Sequence, residues 1–462
     1  MGSCQKGVVV VNRVEVVAAL LPLPEHRLAL SNLDLLLPPF DVGILFCYNI
    51  EVGMKNEMMI SMVKNGLSQV LVSFYSLAGE VVINHEGESE ILCNNRGVDF
   101  LQASADVEVQ HLDLYKPDGV YANFVPVKKQ GVLSVQVTEM KCGGLVIGCS
   151  FDHRVADAYS INKFLVAWAD MTRSNLSGGK SMALVSSPDY CHSLLHPRNP
   201  GHPVAVIDNF YMLVKAASSN LPQPPPLFHL QSRIYRIKAR LISHLQSLAG
   251  HKRTKFEYFT ALLWKLLAKA SEEDQKRCKL GIVVNGRDYF RNSASVNHKS
   301  LENYFGNVLS VPYIDASVGE LRSMPLSEIA DEVHACVESA SNGEHFRGLV
   351  DWVENHRPFQ AMCKIFSFLP SDTEELAVLV SSGKNFSVTK MDFGWGRPSF
   401  GSFLFPWGDT TGFVMPMPSA TDDGDWIVYM HLTEKHLDFL EKEAPRIFTP
   451  FAFISPLKVS KL

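Results

Sequence analysis

The string His153-Arg-Val-Ala-Asp157 stands between an apolar run and a segment in which Ile161, Phe164, Leu165 and Trp168 recur at i, i+3, i+4 and i+7. The first run predicts a strand over Gly144–Ser150, and the second predicts a helix reaching about Arg173. A histidine at such a junction can move protons. An imidazole titrating near pH ~6.5 can take the proton of a poor nucleophile such as an alcohol. Strand alternation from Leu145 puts Ile147, Cys149, Phe151 and His153 on one face, so the ring emerges at the end of the strand. The competing reading is a partly buried histidine satisfied at a strand terminus, since a His-x-x-x-Asp spacing arises about once by chance in such a chain. Asp157 directly precedes the helix, where aspartate is a favoured cap, and capping alone accounts for its presence.

Asp392-Phe-Gly394-Trp395-Gly396 is a rarer string. Its first three residues suggest a kinase, but a kinase needs His-Arg-Asp shortly upstream and a glycine-rich loop near its start, and neither is present. Two glycines around Trp395 suit a tight segment that holds an indole close to something, whether a reacting group or a packed neighbour. A third feature is His251-Lys252-Arg253 followed by Thr254-Lys-Phe256-Glu257, which fits a capping box. Cations beside a helix N-terminus can cradle phosphates, or they can form a plain solvated loop.

These residues need a scaffold of some size. The chain has 462 residues, more than one core usually covers, which predicts two domains of roughly 200 residues each. Val8–Val17, Leu133–Thr138 and Gly144–Ser150 read as strands, and Glu57–Tyr75 reads as a helix with Gly79 as its stop. Residues 201–230 lose all periodicity and carry Pro222, Pro224, Pro225 and Pro226, so they predict a linker between halves spanning 1–200 and 231–462. In the second half a strand and helix cover Ile234–Ala249. Gly412–Met417 and Trp426–Leu432 flank a turn as an antiparallel hairpin, and Thr433 caps a last helix. Mixed elements without a βαβ rhythm favour two α/β sandwiches.

A net charge of −5 argues against a dominant nucleic-acid role. Nine cysteines without a Cys-x-x-Cys pair read as reduced and packed, not as a disulfide framework or zinc site. No Gly-x-Gly-x-x-Gly, Walker loop or Gly-x-Ser-x-Gly elbow is present. The apolar stretch Val8–Leu21 is broken by Asn12, Arg13 and Glu15, so neither a signal peptide nor a membrane span is expected. The expectation is a cytoplasmic protein, monomeric, with no membrane partner.

The two motifs, in this order, resemble those of the plant BAHD acyltransferases, which move an acyl group from coenzyme A to an alcohol or amine. Further strings look like landmarks of that family in sequence: Leu30-Ser-Asn-Leu-Asp34, Phe74-Tyr-Ser-Leu-Ala-Gly79, Gln136-Val-Thr138, Asn285-Gly-Arg287 and Tyr304-Phe-Gly-Asn307. The resemblance covers nearly the whole chain. It implies two similar-sized chloramphenicol-acetyltransferase-like α/β sandwiches joined by a crossover, with a channel between them and His153 near its middle. It also implies that the strand leading into the second motif joins the first sheet. Acyl-CoA would be the co-substrate, with no other cofactor and no metal. His153 would act as base and Trp395 would help, donating its N–H to the developing oxyanion. Asp157 would pair with Arg287, and Asp392, Gly394 and Gly396 would be structural. Lys252, Arg253, Thr254 and Phe256 would meet acyl-CoA.

Departures from the family pattern bear on the acceptor. In the family it resembles, members that acylate shikimate carry an arginine where this chain has Asn385, and hydroxyl side chains where it has Val42, Ile44 and Phe46. Val308 stands where anthocyanin-modifying members have cysteine. The pattern looks closest to the coniferyl alcohol acyltransferase-like branch, which implies a neutral, phenylpropanoid-type alcohol. The alternatives are N-acyl or hydroxycinnamoyl transfer within the same family, and a silent acyl-CoA-binding relative. A cysteine nucleophile is disfavoured, because Cys149 lies ~13 Å from His153 along the strand at ~3.3 Å per residue.

Overall fold

The computed structural model describes residues 9–50, 53–176, 187–191, 193–202, 204, 206–214, 230–248, 253–292, 301–366, 376–405 and 411–453. The proline-rich part of the expected linker and Lys252 lie outside them.

A six-stranded sheet runs in the order Val9–Val17, Val98–Ala105, Leu133–Met140, Leu145–Asp152, Asp41–Tyr48 and Phe400–Leu404. Two amphipathic helices, Asn56–Val70 and Ala158–Leu176, pack together. Trp168, fully buried, ties them by donating its indole N–H to Val63 O at 2.9 Å. The first helix stops at Val70, earlier than expected, and a 3-10 turn at Tyr75–Ala78 follows. Gly79 serves there for close approach and not as a left-handed stop: a Cβ would stand 2.5 Å from Leu92 O.

The second sheet has eight strands, among them Leu230–Ile237, Arg277–Asn285, Leu376–Ser381, Thr411–Pro418 and Trp426–Thr433. The last two form an antiparallel hairpin with Phe413 opposite His431 and Pro418 opposite Trp426. The helix Lys255–Ala270 begins with a complete capping box: Thr254 Oγ1 accepts from Glu257 N at 3.2 Å, and Glu257 Oε2 accepts from Thr254 N at 2.6 Å. Thr433 accepts from His436 N at 3.3 Å and starts the helix Glu434–Glu443. Among the described residues no helix is long and apolar enough to cross a membrane.

One strand changes halves. Phe400–Leu404 runs antiparallel to Asp41–Tyr48, with Phe400 opposite Cys47 and Leu404 opposite Gly43. It follows the Asp392–Gly396 string, whereas the resemblance puts the crossing strand before it. Gly401 is glycine by necessity, since a Cβ would stand 2.8 Å from both Phe46 Cδ1 and Val388 Cγ2. Phe403, Met415 and Tyr429 join Ile44, Phe46 and Phe151 in one continuous apolar core.

A buried histidine in the second half gives the fold a pH dependence. His345 is 3% exposed, its Nε2 is 2.8 Å from Ser310 Oγ, and burial pulls its pKa down to about 4. It is therefore neutral in the folded protein, while the unfolded chain takes up a proton on it below pH ~6.5. Stability is at its full value above that pH and falls as the pH drops towards 4, by about 3 kcal/mol in all. In urea unfolding, the stability difference between wild type and His345→Gln should shrink between pH 7 and pH 4.5. Parallel pH dependence in the two proteins would show that another group is responsible.

Candidate active site

The strand Leu145–Asp152 places His153 directly beyond its end. The register puts Val42 opposite Phe151, Ile44 opposite Cys149 and Phe46 opposite Ile147, so these residues share the face from which the imidazole projects. His153 N donates to Phe40 O at 3.1 Å, and the Phe40 ring meets the imidazole edge-on at 5.2 Å. The ring is half-buried, and its Nδ1 is buried without a hydrogen-bond partner. Burial lowers its pKa, partly offset by its own carbonyl, by Asp157 and Asp152, and by the Asn307 side chain. A lowered pKa keeps this imidazole neutral, and so able to accept a proton, to more acidic pH than a free histidine.

Asp157 points away from the ring, into a buried ion pair. Arg287 Nη1 donates to Asp157 Oδ2 at 2.6 Å and Nη2 to Oδ1 at 3.2 Å, and both side chains are 2% exposed. The same carboxylate accepts from Ser160 N at 2.9 Å, capping the helix Ala158–Leu176, and from Val308 N at 3.2 Å. Arg287 Nη2 also donates to Ser160 Oγ and Gly306 O, each at 2.9 Å. Capping and pairing are thus done by one side chain, and they pin the turn after His153 to the second half.

Two further residues complete this knot, and neither has a role assigned from the sequence. Asp34 Oδ1 accepts from Asn307 N at 2.6 Å and Nδ2 at 2.8 Å, while its Oδ2 accepts from Ser31 and from Tyr304 Oη. Asn307 Nδ2 also donates to His153 O at 2.9 Å and Arg154 O at 3.2 Å. Their signal was in plain view as the strings ending in Asp34 and Asn307, but a buried polar partner from an irregular segment carries no periodicity.

The second motif sits elsewhere. Asp392 Oδ1 accepts from Gly394 N at 2.8 Å and Gly396 N at 3.0 Å, and both glycines have positive φ, +115° and +106°. A Cβ on Gly394 would stand 2.1 Å from Leu176 Cδ1. Trp395 stacks on Phe393 at 5.6 Å and meets Tyr48 edge-on at 6.2 Å. Tyr48 pairs with Leu145, the residue that opens the strand His153 closes. At ~3.3 Å per residue this puts the indole roughly 25 Å from the imidazole, too far to donate to an oxyanion there. The catalytic role expected of Trp395 is therefore withdrawn, and the motif is a packing device.

The other expected contacts are also reassigned. Val42, Ile44 and Phe46 are at most 1% exposed, and Phe46 stacks on Phe386 at 5.5 Å, so they form a packed apolar wall and not the lining of an open pocket. Asn385 is exposed beside that contact. Arg253 Nε donates to Asp331 at 2.7 Å, Thr254 is engaged by Glu257, and Phe256 packs against the second core. That helix N-terminus is occupied by the protein's own carboxylate, which removes the argument for a phosphate cradle. A cavity of about 660 Å³ opens between the halves near Asn49, Ser399 and Thr421, at the end of the sheet opposite His153. Arg236 on its wall is already paired with Asp423 and Asp425.

The family model described as the Transferase family matches residues 8–446. The shikimate O-hydroxycinnamoyltransferase of Nicotiana tabacum is 26% identical over 437 residues, covering 91% of this chain and 95% of its own. The omega-hydroxypalmitate O-feruloyl transferase of Arabidopsis thaliana is 28% identical, covering 83% and 82%, and anthranilate N-benzoyltransferase protein 1 of Dianthus caryophyllus is 28% identical, covering 91% and 95%. Among solved structures, vinorine synthase superposes with a TM-score of 0.71 at 19% identity over 96% of this chain and 100% of that one. F. graminearum TRI101 complexed with coenzyme A and T-2 mycotoxin gives 0.72 at 14% identity, over 91% and 98%. These likenesses show the fold expected from the sequence, a pair of α/β sandwiches.

Proposed function

Since the chain belongs to the BAHD acyltransferases of the Transferase family, we propose that it esterifies a neutral, phenylpropanoid-type alcohol from an acyl-CoA, with His153 as general base. The observation that carries this reading is the imidazole itself: it stands at a strand end with its turn anchored to the second half, and burial keeps it neutral. Its Nδ1 is enclosed, which leaves Nε2 to face a substrate. Nε2 takes the hydroxyl proton as the oxygen attacks the thioester carbonyl. The tetrahedral oxyanion then collapses, the C–S bond breaks, and the imidazolium returns its proton to the departing thiolate. Balance is kept without an acyl-enzyme.

The acceptor class rests on the surroundings. Phe40 and Phe151 flank the ring, and the face behind them, with Val42 opposite Phe151, is apolar. A carboxylated acceptor would need a cation to offset desolvation, and Arg287 and Arg154 are already paired with Asp157 and Asp152. The test is a matrix of acetyl-, p-coumaroyl- and feruloyl-CoA against coniferyl alcohol, a long-chain aliphatic alcohol, shikimate and anthranilate, followed by free-thiol release. Coniferyl or aliphatic alcohol should lead by at least ~10-fold in kcat/KM, the worth of about 1.4 kcal/mol. Shikimate in the lead would overturn the neutral-acceptor reading, and anthranilate in the lead would replace ester with amide formation.

A further inference from the structure

We propose that Asn307 is the positioning residue of His153: its amide oxygen accepts the Nδ1–H of the imidazole and so fixes the tautomer whose Nε2 carries the lone pair. This rests on the reading of His153 as the base, and it adds the group that sets which nitrogen does the work.

The Asn307 amide cannot turn over. Asn307 is wholly buried, and its NH2 group faces three acceptors: Asp34 Oδ1 at 2.8 Å, His153 O at 2.9 Å and Arg154 O at 3.2 Å. Exchanging the amide's nitrogen and oxygen would set an acceptor against all three. Asp34 enforces this. Its two oxygens take donors from Ser31 N and Oγ, Asn307 N and Nδ2, and Tyr304 Oη, a set that leaves it no proton to give. Burial pushes the Asp34 pKa up, and the hydrogen bonds from Ser31 and Asn307 offset part of that rise.

The amide oxygen is then left buried with no donor. On the adjoining residue, His153 Nδ1 is buried with no partner either. A neutral imidazole must carry one N–H, and an unsatisfied buried donor or acceptor each costs about 1–3 kcal/mol. Each orphan is what the other lacks. The Asn307 side chain is moreover among the groups that act on the imidazole, on the side that favours its protonated form. The competing acceptor is the histidine's own carbonyl, which acts in the same sense and more strongly than the Asn307 side chain.

The test uses full-length protein with 15N-labelled histidine, assigned with His153→Gln, and reads the tautomer from long-range proton–nitrogen correlations without substrate. Wild type should show Nδ1–H at pH 8. Asn307→Ala should move the population towards Nε2–H and lower kcat by about 10–100-fold, with KM values little changed. The acid limb of kcat/KM should move to lower pH, because the acceptor that favours the imidazolium is gone. If Asn307→Ala does not fold, Asn307→Leu supplies the second variant: it fills a similar volume without an amide oxygen and should give the same tautomer change. A wild-type Nε2–H tautomer overturns the proposal. So does an Nδ1–H signal untouched by either variant, which would give the role to the backbone carbonyl. Neither outcome depends on turnover, so failure here is distinct from failure of His153 as the base.

Discussion

His153→Ala will fold as the wild type does and turn over roughly 10²–10⁴-fold more slowly, the usual contribution of a positioned general base. The strand end is held through the backbone, by His153 N on Phe40 O and by Asn307 on His153 O. Truncation therefore removes the base without breaking the network around it. The pH profile should agree: activity requires neutral imidazole, burial lowers its pKa, and so the acid limb of wild-type kcat/KM should lie below pH ~6.5. The measurement is the initial rate with the best alcohol and saturating acyl-CoA, alongside circular dichroism and thermal melting. A correctly folded variant with near-normal turnover would assign the proton transfer to another group.

Separating Asp157 from Arg287 should cost about 3–5 kcal/mol of stability, because either single truncation strands the other charge in a site with almost no solvent. Asp157→Ala also removes the cap on Ser160 N and the acceptor for Val308 N, so it should be the worse of the two. Arg287→Ala leaves the carboxylate unpaired, while Ser160 Oγ keeps Gly306 N as a donor and Gly306 O keeps Ser160 Oγ. The double variant should be far less destabilised than the sum, since no charge is then left alone. Urea unfolding of the four proteins gives the coupling directly. Additive losses would mean that the pair does not act as a unit, and that the turn is held by the cap and the Asn307 contacts alone.

The helix and strand pattern was legible because periodicity reports which face is buried. The helix after Asp157, the capping box at Thr254 and the hairpin around Asp422 all follow from local chemistry that needs no distant partner. Distance between motifs was not legible. Trp395 and His153 are packed at opposite ends of one sheet, a fact of register between Asp41–Tyr48 and Leu145–Asp152 that neither string carries. The same holds for the crossing strand: Phe400–Leu404 reads as a strand anywhere, and only its close approach to Phe46 through Gly401 fixes where it docks. Occupied partners escaped for a related reason. Arg253 and Thr254 look like free anion donors until Asp331 and Glu257 are seen to hold them.

The docking of Phe400–Leu404 on Asp41–Tyr48 also sets an order of events during synthesis. The first sheet receives its sixth strand from residues far along the chain, so its edge at Asp41–Tyr48 stays open while the intervening segment is being translated. At about 5–20 residues per second that wait lasts tens of seconds. For that time a strand of mostly buried, apolar residues presents unpaired backbone groups to the surroundings. The nascent amino-terminal half is then a sheet with a vacancy, dependent on its own carboxy-terminal segment to close it.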